Sequence, residues 1–294
     1  MKIINLGSIN IDHVYSVEHF VRPGETLRSD DYKIFSGGKG ANQSIALAHA
    51  GAKVVHAGRI GKEGVWLKER LHQAGVNTCL IETVDEPTGH ALIQVNAQGE
   101  NAIIIHPGAN ESFNDSYIQK VFESSQEGDY ILLQNEINAL EKILEMSKKR
   151  GLTVIFNPAP MNPKVKKYPL EHVDIFIINK VEGEMLTSLK EPHEIVSKMQ
   201  VLYPHCTTIL TLGKDGVIYK DKQRCIRLPA LEVKSVDTTG AGDTFIGYFL
   251  AELSQGKKTE ECLQMGIKAS SICVGREGAA DSIPHRQELE SLSL

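Results

Sequence analysis

Short apolar runs rich in Ile and Val alternate with helical patterns from one end of the 294-residue chain to the other. The runs predicted to be strands are residues 2–6, 53–57, 129–133, 152–156, 173–178 and 207–212. Helical patterns at 41–50 and 65–74 lie between them, and each ends at a glycine, where a helix stop favours positive φ. This alternation predicts an α/β fold with a mainly parallel sheet sandwiched by helices.

Two regions interrupt the alternation, residues 11–35 and 89–106. In the second, ALIQV and NAIII flank the turn NAQGEN as the strands of a hairpin would. We interpret both regions as a small β lid inserted into the α/β body. Because no segment rich in Pro, Gly or Ser divides the chain, we predict a single domain over residues 1–294, with lid segments at about 11–35 and 89–106.

Charge and cysteine content argue against several classes of protein. A formal net charge of -5 does not suit a general nucleic-acid binder, which needs clustered Lys and Arg for phosphate contacts. No segment approaches the run of about 20 apolar residues that a membrane span requires. The cysteines are odd in number and lack a CxxC pair, so we expect reduced thiols in a cytoplasmic protein. They are Cys79, Cys206, Cys225, Cys262 and Cys273.

Polar or turn-forming residues follow four of the predicted strands. They are Asn135 with Glu136, residues 157–160, Asn179 with Glu182, and residues 211–216. A helix cap or a tight turn explains each segment taken alone. Ligands of parallel α/β sheets bind beyond the carboxyl ends of the strands, so the recurrence favours a shared site.

The segment DTTGAGDTF, residues 237–245, combines two glycines with a carboxylate just before a helical pattern. Gly240 and Gly242 allow the backbone to approach an anion, and a helix start presents unpaired N–H groups and a positive dipole end. Phosphate would repel Asp243, so anion binding alone does not explain that residue. A base that accepts the proton of a hydroxyl during phosphoryl transfer does explain it. The alternative is that Asp243 caps its own helix.

Two further segments carry candidate ligand contacts. FSGGKGANQ, residues 35–43, leads into a helix and supplies donors at Lys39 and Asn42, although its spacing does not match a P-loop. Near the N-terminus, Asn10 and Asp12 lie two residues apart in an extended segment, so their side chains share a face. An amide beside a carboxylate suits two neighbouring sugar hydroxyls; a polar strand end in water is the alternative.

Taken in order, GSINIDH, RPGET, GGKGANQ, NPAP, NKVEGE, TLGKDG and DTTGAGDTF resemble the ribokinase-like (PfkB) carbohydrate kinases over about residues 2–284. The combination of DTTGAGDTF with GGKGANQ is highly specific for this family. The resemblance implies phosphorylation of D-ribose at its 5-hydroxyl by ATP, with Mg²⁺ and K⁺ as cofactors. It also implies a lid that forms the interface of a homodimer.

The resemblance assigns roles to individual positions of this sequence. Asp243 matches the catalytic base, and the residues matching the anion hole are Gly240, Ala241 and Gly242. The positions matching the sugar contacts are Asn10, Asp12, Gly38, Lys39, Asn42 and Glu136. The positions matching nucleotide contacts are Asn179, Thr211, Leu212, Gly213, Lys214, Asp215, Gly216 and Gly242. The positions matching a K⁺ site are Asp237, Thr239, Cys273, Arg276, Gly278 and Ser282, and Glu182 matches an indirect Mg²⁺ contact.

Two positions depart from the family pattern. Cys273 falls where the cation site uses a backbone carbonyl, so we expect its side chain to matter little. Ile267 stands where some members carry His or Asn near the adenine. Two alternatives remain open: a related kinase for 2-deoxyribose, a ketohexose or a nucleoside, and a non-catalytic regulator that binds a sugar or nucleotide.

Overall fold

A nine-stranded sheet forms the body of the protein, in a computed structural model that describes residues 1–290. The strands of the chain are β1 (Ile3–Leu6), β2 (Asn10–Ser16), β3 (Asp31–Gly37), β4 (Val54–Ile60), β5 (Asn77–Thr83), β6 (Gly89–Val95), β7 (Asn101–His106), β8 (Tyr130–Gln134), β9 (Thr153–Asn157), β10 (Ile175–Asn179), β11 (Thr207–Thr211), β12 (Val217–Lys220) and β13 (Cys225–Leu228). The α-helices are α1 (Lys39–His49), α2 (Val65–Gln73), α3 (Asp115–Glu123), α4 (Leu140–Lys149), α5 (Lys180–Thr187), α6 (Pro192–Leu202), α7 (Ala241–Ser254), α8 (Thr259–Cys273) and α9 (Arg286–Glu290).

The order of strands in the large sheet is β13-β12-β11-β10-β9-β8-β1-β4-β5. All neighbours from β5 to β11 pair in parallel, whereas β12 and β13 continue the sheet in antiparallel pairing. The predicted mainly parallel α/β fold is therefore confirmed. The six predicted strands are present with shifted ends, and the edge strand β5 and the short strands β12 and β13 were missed.

Buried side chains cover both faces of the sheet. Alternate residues of β8 point to opposite sides, so Leu132 packs with α7 and α8, while Ile131 and Leu133 pack with α3 and α4. A sheet buried on both faces explains why its strands are nearly continuous apolar runs in the sequence. In the described residues, no helix has both the length and the apolar character needed to span a bilayer.

The smaller sheet has four strands in the order β3-β2-β6-β7. Its central strands β2 and β6 are parallel, and β3 and β7 pair antiparallel at the two edges. β6 and β7 form the hairpin that the sequence predicted. This sheet begins directly after β1, so its residues Asn10 and Asp12 lie close to the carboxyl edge of the large sheet.

Candidate active site

Two adjoining cavities lie where strands of the large sheet end and helices α1, α5 and α7 begin. The smaller has a volume of about 320 Å³, and the larger has a volume of about 700 Å³. Asn179, Thr211, Thr238 and Gly242 line both cavities, which therefore adjoin. Three of the four predicted strand-end segments, those after β9, β10 and β11, contribute to the lining.

Asp243 lies in the smaller cavity, at the first turn of α7. Its side chain is 7% exposed, and its carboxylate accepts hydrogen bonds from Gln43 Nε2 at 2.9 Å and Asn42 Nδ2 at 3.1 Å. The N-cap of α7 is Gly240, and no side chain caps this helix. Asp243 is therefore held by α1 rather than by a capping bond to its own helix.

The start of α7 provides a cradle for an anion. Gly240 adopts a φ of 76°, which a side chain would strain, and a Cβ there would meet the Ala279 carbonyl at 3.0 Å. A Cβ at Gly242, by contrast, would meet nothing within 4 Å, so the backbone there is open to the cavities. As at any helix start, the first N–H groups of α7 have no partner within the helix, and the Ala241 N–H donates to the Thr238 carbonyl oxygen at 3.3 Å.

Lys39 lies among four carboxylates, those of Asp12, Glu136, Glu182 and Asp243. The nearby Asp243 raises the pKa of Lys39 most; burial opposes this, and the other three carboxylates add to it. Lys39 therefore carries a positive charge, and it lines the smaller cavity between the end of β10 and α7. A cation in this position can contact the transferring phosphate.

The predicted sugar contacts lie where the smaller sheet meets α1. Asp12 is partly buried, and its carboxylate occupies the space that a Cβ on Gly37 would need, at 2.1 Å. Burial and the neighbouring Glu136 raise the pKa of Asp12 to about 6, although Lys39 opposes the shift. The Glu136 carboxylate accepts hydrogen bonds from Ser8 Oγ and from the Lys39 backbone N–H.

Asn110, which was not among the predicted site residues, fixes the side chain of Asn10. The buried Asn110 amide donates from Nδ2 to Asn10 Oδ1 at 2.7 Å, and its Oδ1 accepts from the Ile9 backbone N–H at 3.0 Å. With its oxygen engaged, Asn10 has its N–H donors left for a ligand. No sequence pattern connects two asparagines 100 residues apart.

The larger cavity is a mainly apolar groove. Of the predicted nucleotide contacts, Asn179, residues 211–214 and Gly216 line it, as does Gly242, whereas Asp215 does not. Ile267, which the resemblance placed near the adenine, also lines this groove, and further lining residues that were not predicted include Leu231, Val233, Phe245 and Val274. Ile267, Ser270, Ser271 and Val274 follow at helical spacing, a pattern that indicates one face of a helix but not a cavity beside it.

Asn179 and Glu182 form a capping box at the start of α5. Glu182 accepts hydrogen bonds from the Asn179 backbone N–H at 2.9 Å and from Asn179 Nδ2 at 2.8 Å, so both carboxylate oxygens are engaged. Burial raises the pKa of Glu182, and the Asn179 hydrogen bond opposes that shift. Because Mg²⁺ usually retains several waters, these residues fit an Mg²⁺ ion held through water.

The residues of the predicted K⁺ site come together around the loop before α7. The Asp237 carboxylate accepts from Thr239 N and Oγ1, and from Gly278 N at 3.0 Å. Burial opposes a low pKa for Asp237, but these hydrogen bonds outweigh burial and lower the pKa, so the carboxylate remains charged. The charged Asp237 carboxylate, together with the other oxygen atoms of this loop, fits the ligands of a monovalent cation such as K⁺. Residues 1–290 contain no cluster of three or more His, Cys, Asp or Glu that could hold a metal.

Two side chains near this loop make contacts that the sequence did not indicate. The Arg276 guanidinium pairs with Glu288 on α9. The Cys273 thiol lies 3.0 Å from Ser282 Oγ and 3.8 Å from the Thr239 carbonyl oxygen. The thiol thus contacts residues that shape the loop, while its part in a cation site stays a prediction.

Comparisons with known proteins agree over nearly the full chain. Residues 1–286 match the family described as pfkB family carbohydrate kinase. The ribokinase of Haemophilus influenzae is 38% identical over 292 residues, covering 96% of this chain and 95% of that protein. The ribokinase structure of Thermotoga maritima has a TM-score of 0.89 at 36% identity, covering 99% of this chain and 98% of that one. The ribokinase of Arabidopsis thaliana, solved with ribose and ATP, has a TM-score of 0.89 at 29% identity and covers 99% of each chain.

Proposed function

The chain belongs to the pfkB family of carbohydrate kinases, and we propose that it transfers the terminal phosphate of ATP to the 5-hydroxyl of D-ribose. The position of Asp243 carries this proposal. Its carboxylate lies beside an anion cradle, between a pocket of hydrogen-bonding side chains and an apolar groove. That arrangement suits a base for a hydroxyl that attacks a phosphate.

In the proposed reaction, Asp243 accepts the proton of the 5-hydroxyl as the sugar oxygen bonds to the γ-phosphorus. The bond between that phosphorus and the β,γ-bridging oxygen breaks, and ADP leaves. The N–H groups at Gly240, Ala241 and Gly242, together with Lys39, stabilise the charge on the transferring phosphate. Asn10, Asp12, Gly38, Asn42 and Glu136 hold the sugar, and the apolar groove holds the adenine end of ATP.

We also propose two metal ions as cofactors. Asn179 and Glu182 would hold Mg²⁺ through water, and the ion would neutralise part of the charge on the ATP phosphates. K⁺ would lie beside Asp237, Thr239, Gly278, Ser282 and the backbone near Cys273. Asp237 supplies the negative charge for this second ion.

The smaller sheet is proposed to act as a lid over the sugar and as the interface of a homodimer. It carries Asp12 and Asn10 on strand β2, and several large apolar side chains on its surface are exposed. All five cysteines are free thiols, in keeping with a cytoplasmic location.

A panel of sugars assayed for ADP formation with ATP and Mg²⁺ tests the proposed function. We expect D-ribose to be preferred over 2-deoxyribose by at least about tenfold in kcat/KM, because removal of a hydroxyl leaves the partly buried Asp12 carboxylate without a partner. Equal efficiency on the two sugars would favour the related deoxysugar kinase, and binding without turnover would favour the non-catalytic regulator.

Asp243→Asn separates the chemical step from binding. The amide retains the shape of the carboxylate but cannot act as a base, so kcat should fall about 10²- to 10⁴-fold while ribose still binds. Asp85→Asn serves as the matched control, because Asp85 lies on the surface in an exposed ion pair with Lys62. Near-normal turnover of Asp243→Asn would remove Asp243 from the mechanism.

A further inference from the structure

A chain of buried side-chain amides extends from the Asp243 carboxylate into the large sheet. Gln43 Nε2 donates to Asp243 Oδ1 at 2.9 Å, and Gln134 Nε2 donates to Gln43 Oε1 at 2.7 Å. Gln134 Nε2 also donates to Asn5 Oδ1 at 3.0 Å. The side chains of Asn5, Gln43 and Gln134 are all 0% exposed. This chain therefore connects the candidate base to strands β1 and β8 without contact with solvent.

Backbone carbonyls fix the direction of every hydrogen bond in this chain. Asn5 Nδ2 lies 2.8 Å from the Gly40 carbonyl oxygen, which can only accept, so Asn5 Oδ1 must face Gln134. Gln134 must then present its Nε2, and Gln43 must present its Oε1 to Gln134. The remaining end of the Gln43 amide, its Nε2, is thereby directed at Asp243.

A second anchor leads to the same orientation of Gln43. Asn157 Nδ2 donates to the Ile177 carbonyl oxygen at 2.9 Å, so Asn157 Oδ1 faces Gln43 Nε2, at 3.3 Å. Rotation of the Gln43 amide by 180° would place its oxygen against the Asp243 carboxylate and the Asn157 oxygen. Such a buried amide has one favourable orientation, and that orientation donates to Asp243.

The two donors to Asp243 differ in what else they can contact. Asn42 is a candidate sugar contact, so its amide can be shared with the substrate. Gln43 is fully buried and does not line either cavity. Any effect of Gln43 on the reaction must therefore pass through the residues that it contacts, of which Asp243 and Asn157 line the smaller cavity.

We infer that Gln43 is a positioning residue that holds the Asp243 carboxylate in place for phosphoryl transfer, with its amide oriented by Gln134, Asn5 and Asn157. This inference rests on the proposed function. The hydrogen bond fixes the Asp243 carboxylate toward the acceptor hydroxyl and stabilises its charged, proton-accepting form. Gln43 thus contributes to turnover and not to affinity for either substrate.

Gln43→Met tests the inference, because Met retains the length and packing of Gln and removes the donor. We expect kcat with ribose to fall about ten- to a hundredfold, the range for one lost hydrogen bond to a charged group, while both KM values change less than about threefold. Gln200→Met is the matched control. Gln200 lies on α6 and donates only to the Pro204 carbonyl oxygen, so this change should leave kcat as in the wild type.

Gln134→Met is a second test, which leaves both Gln43 and Asp243 in place. It tests the inference even if Gln43→Met does not fold. It should lower kcat about three- to tenfold, because the Gln43 amide loses one of its two orienting partners. Since Gln134 acts through Gln43, adding Gln134→Met to Gln43→Met should lower kcat less than about twofold further. If the two changes acted through independent structural effects, their fold reductions in kcat would multiply instead.

The outcomes separate the inference from the proposed function. A wild-type protein that phosphorylates ribose, with a Gln43→Met variant of lower melting temperature and unchanged kcat, overturns the inference alone. A rise in KM for ribose without a fall in kcat also overturns it. A wild-type protein that phosphorylates no sugar of the panel overturns the proposed function, and the inference with it.

Discussion

Asp12 is an unusual carboxylate, because it is both partly buried and adjacent to another carboxylate, Glu136. Burial and the negative charge of Glu136 raise the pKa of Asp12 from 3.8 to about 6, and the nearby Lys39 offsets only part of the shift. At neutral pH Asp12 is therefore ionised, and its charge lowers the free energy of unfolding. Carboxylates in sites that disfavour their charge are often ligand-binding groups.

Ribose affinity should depend on the protonation of Asp12. The ionised carboxylate can accept hydrogen bonds from two neighbouring hydroxyls, whereas the protonated form gives up part of that capacity. We expect the Kd for ribose, measured by calorimetry, to rise about tenfold between pH 7 and pH 5, as follows from titration of one required group near pH 6. Asp12→Asn should bind ribose weakly and equally at both pH values. A wild-type Kd that is constant over this range would contradict the role of Asp12.

Asp12→Asn also tests the cost of the buried charge. A carboxylate whose pKa is higher in the folded state binds more protons when folded, so stability falls as pH rises from about 4 to about 6. The variant should therefore melt at a higher temperature than the wild type at pH 7, and the difference should disappear near pH 4.

At the scale of elements, the loop that precedes α7 connects the K⁺ candidate to the anion cradle. Asp237 holds the loop through Thr239 and through Gly278, a residue 41 positions away in the chain. Gly240 follows in the same loop, and Ala241 and Gly242 begin α7; the N–H groups of these three residues form the proposed cradle. A cation beside Asp237 can therefore order the cradle without contact with the substrate.

Turnover should consequently rise when K⁺ replaces tetramethylammonium at constant ionic strength. The physical reason is that an ordered loop keeps the cradle N–H groups in position for the transition state. The steady-state rate with ribose and ATP is the measurement, and Asp237→Asn should be less sensitive to the exchange. Equal rates of the wild type in the two salts would reject the K⁺ site.

At the scale of the whole molecule, the smaller sheet exposes an apolar row. Ile34 on β3 and Leu92 on β6 both pair with His13 on β2, and Leu92 pairs in turn with Ile104 on β7. The three apolar side chains therefore lie on one face of the sheet. Their exposed fractions are 50%, 41% and 66%. Exposed apolar side chains on a sheet with open edges favour association with another chain.

We therefore expect light scattering at micromolar concentration to give the mass of a dimer. Ile104→Glu should shift the protein to the monomer, because it places a charge in the proposed interface. Val201→Glu is the matched control, since Val201 is 70% exposed on α6, outside the smaller sheet. A monomeric wild type, or equal dissociation of both variants, would count against the proposed interface.

The sequence by itself determined the fold class, the family and the local segments that carry chemistry. Period-two and helical patterns identify strands and helices because they depend only on residues that are close in the chain. The segment DTTGAGDTF likewise predicted a backbone cradle with Asp243, because glycines affect the backbone at their own positions. The prediction of a carbohydrate kinase is confirmed by the family match, while the roles of single site residues, the lid and the single domain stay predictions.

Only the tertiary structure decided which side chains meet. Gln43 reaches Asp243 across 200 residues, and Asn110 reaches Asn10 across 100, because the order of strands brings α1, α7 and β2 together at one edge. Likewise, Arg276 forms an ion pair with Glu288, and Asp215 lies outside the groove that its neighbours in the chain line. Such contacts follow from strand order and from the packing of helices on the sheet, and neither is encoded in the spacing of residues along the chain.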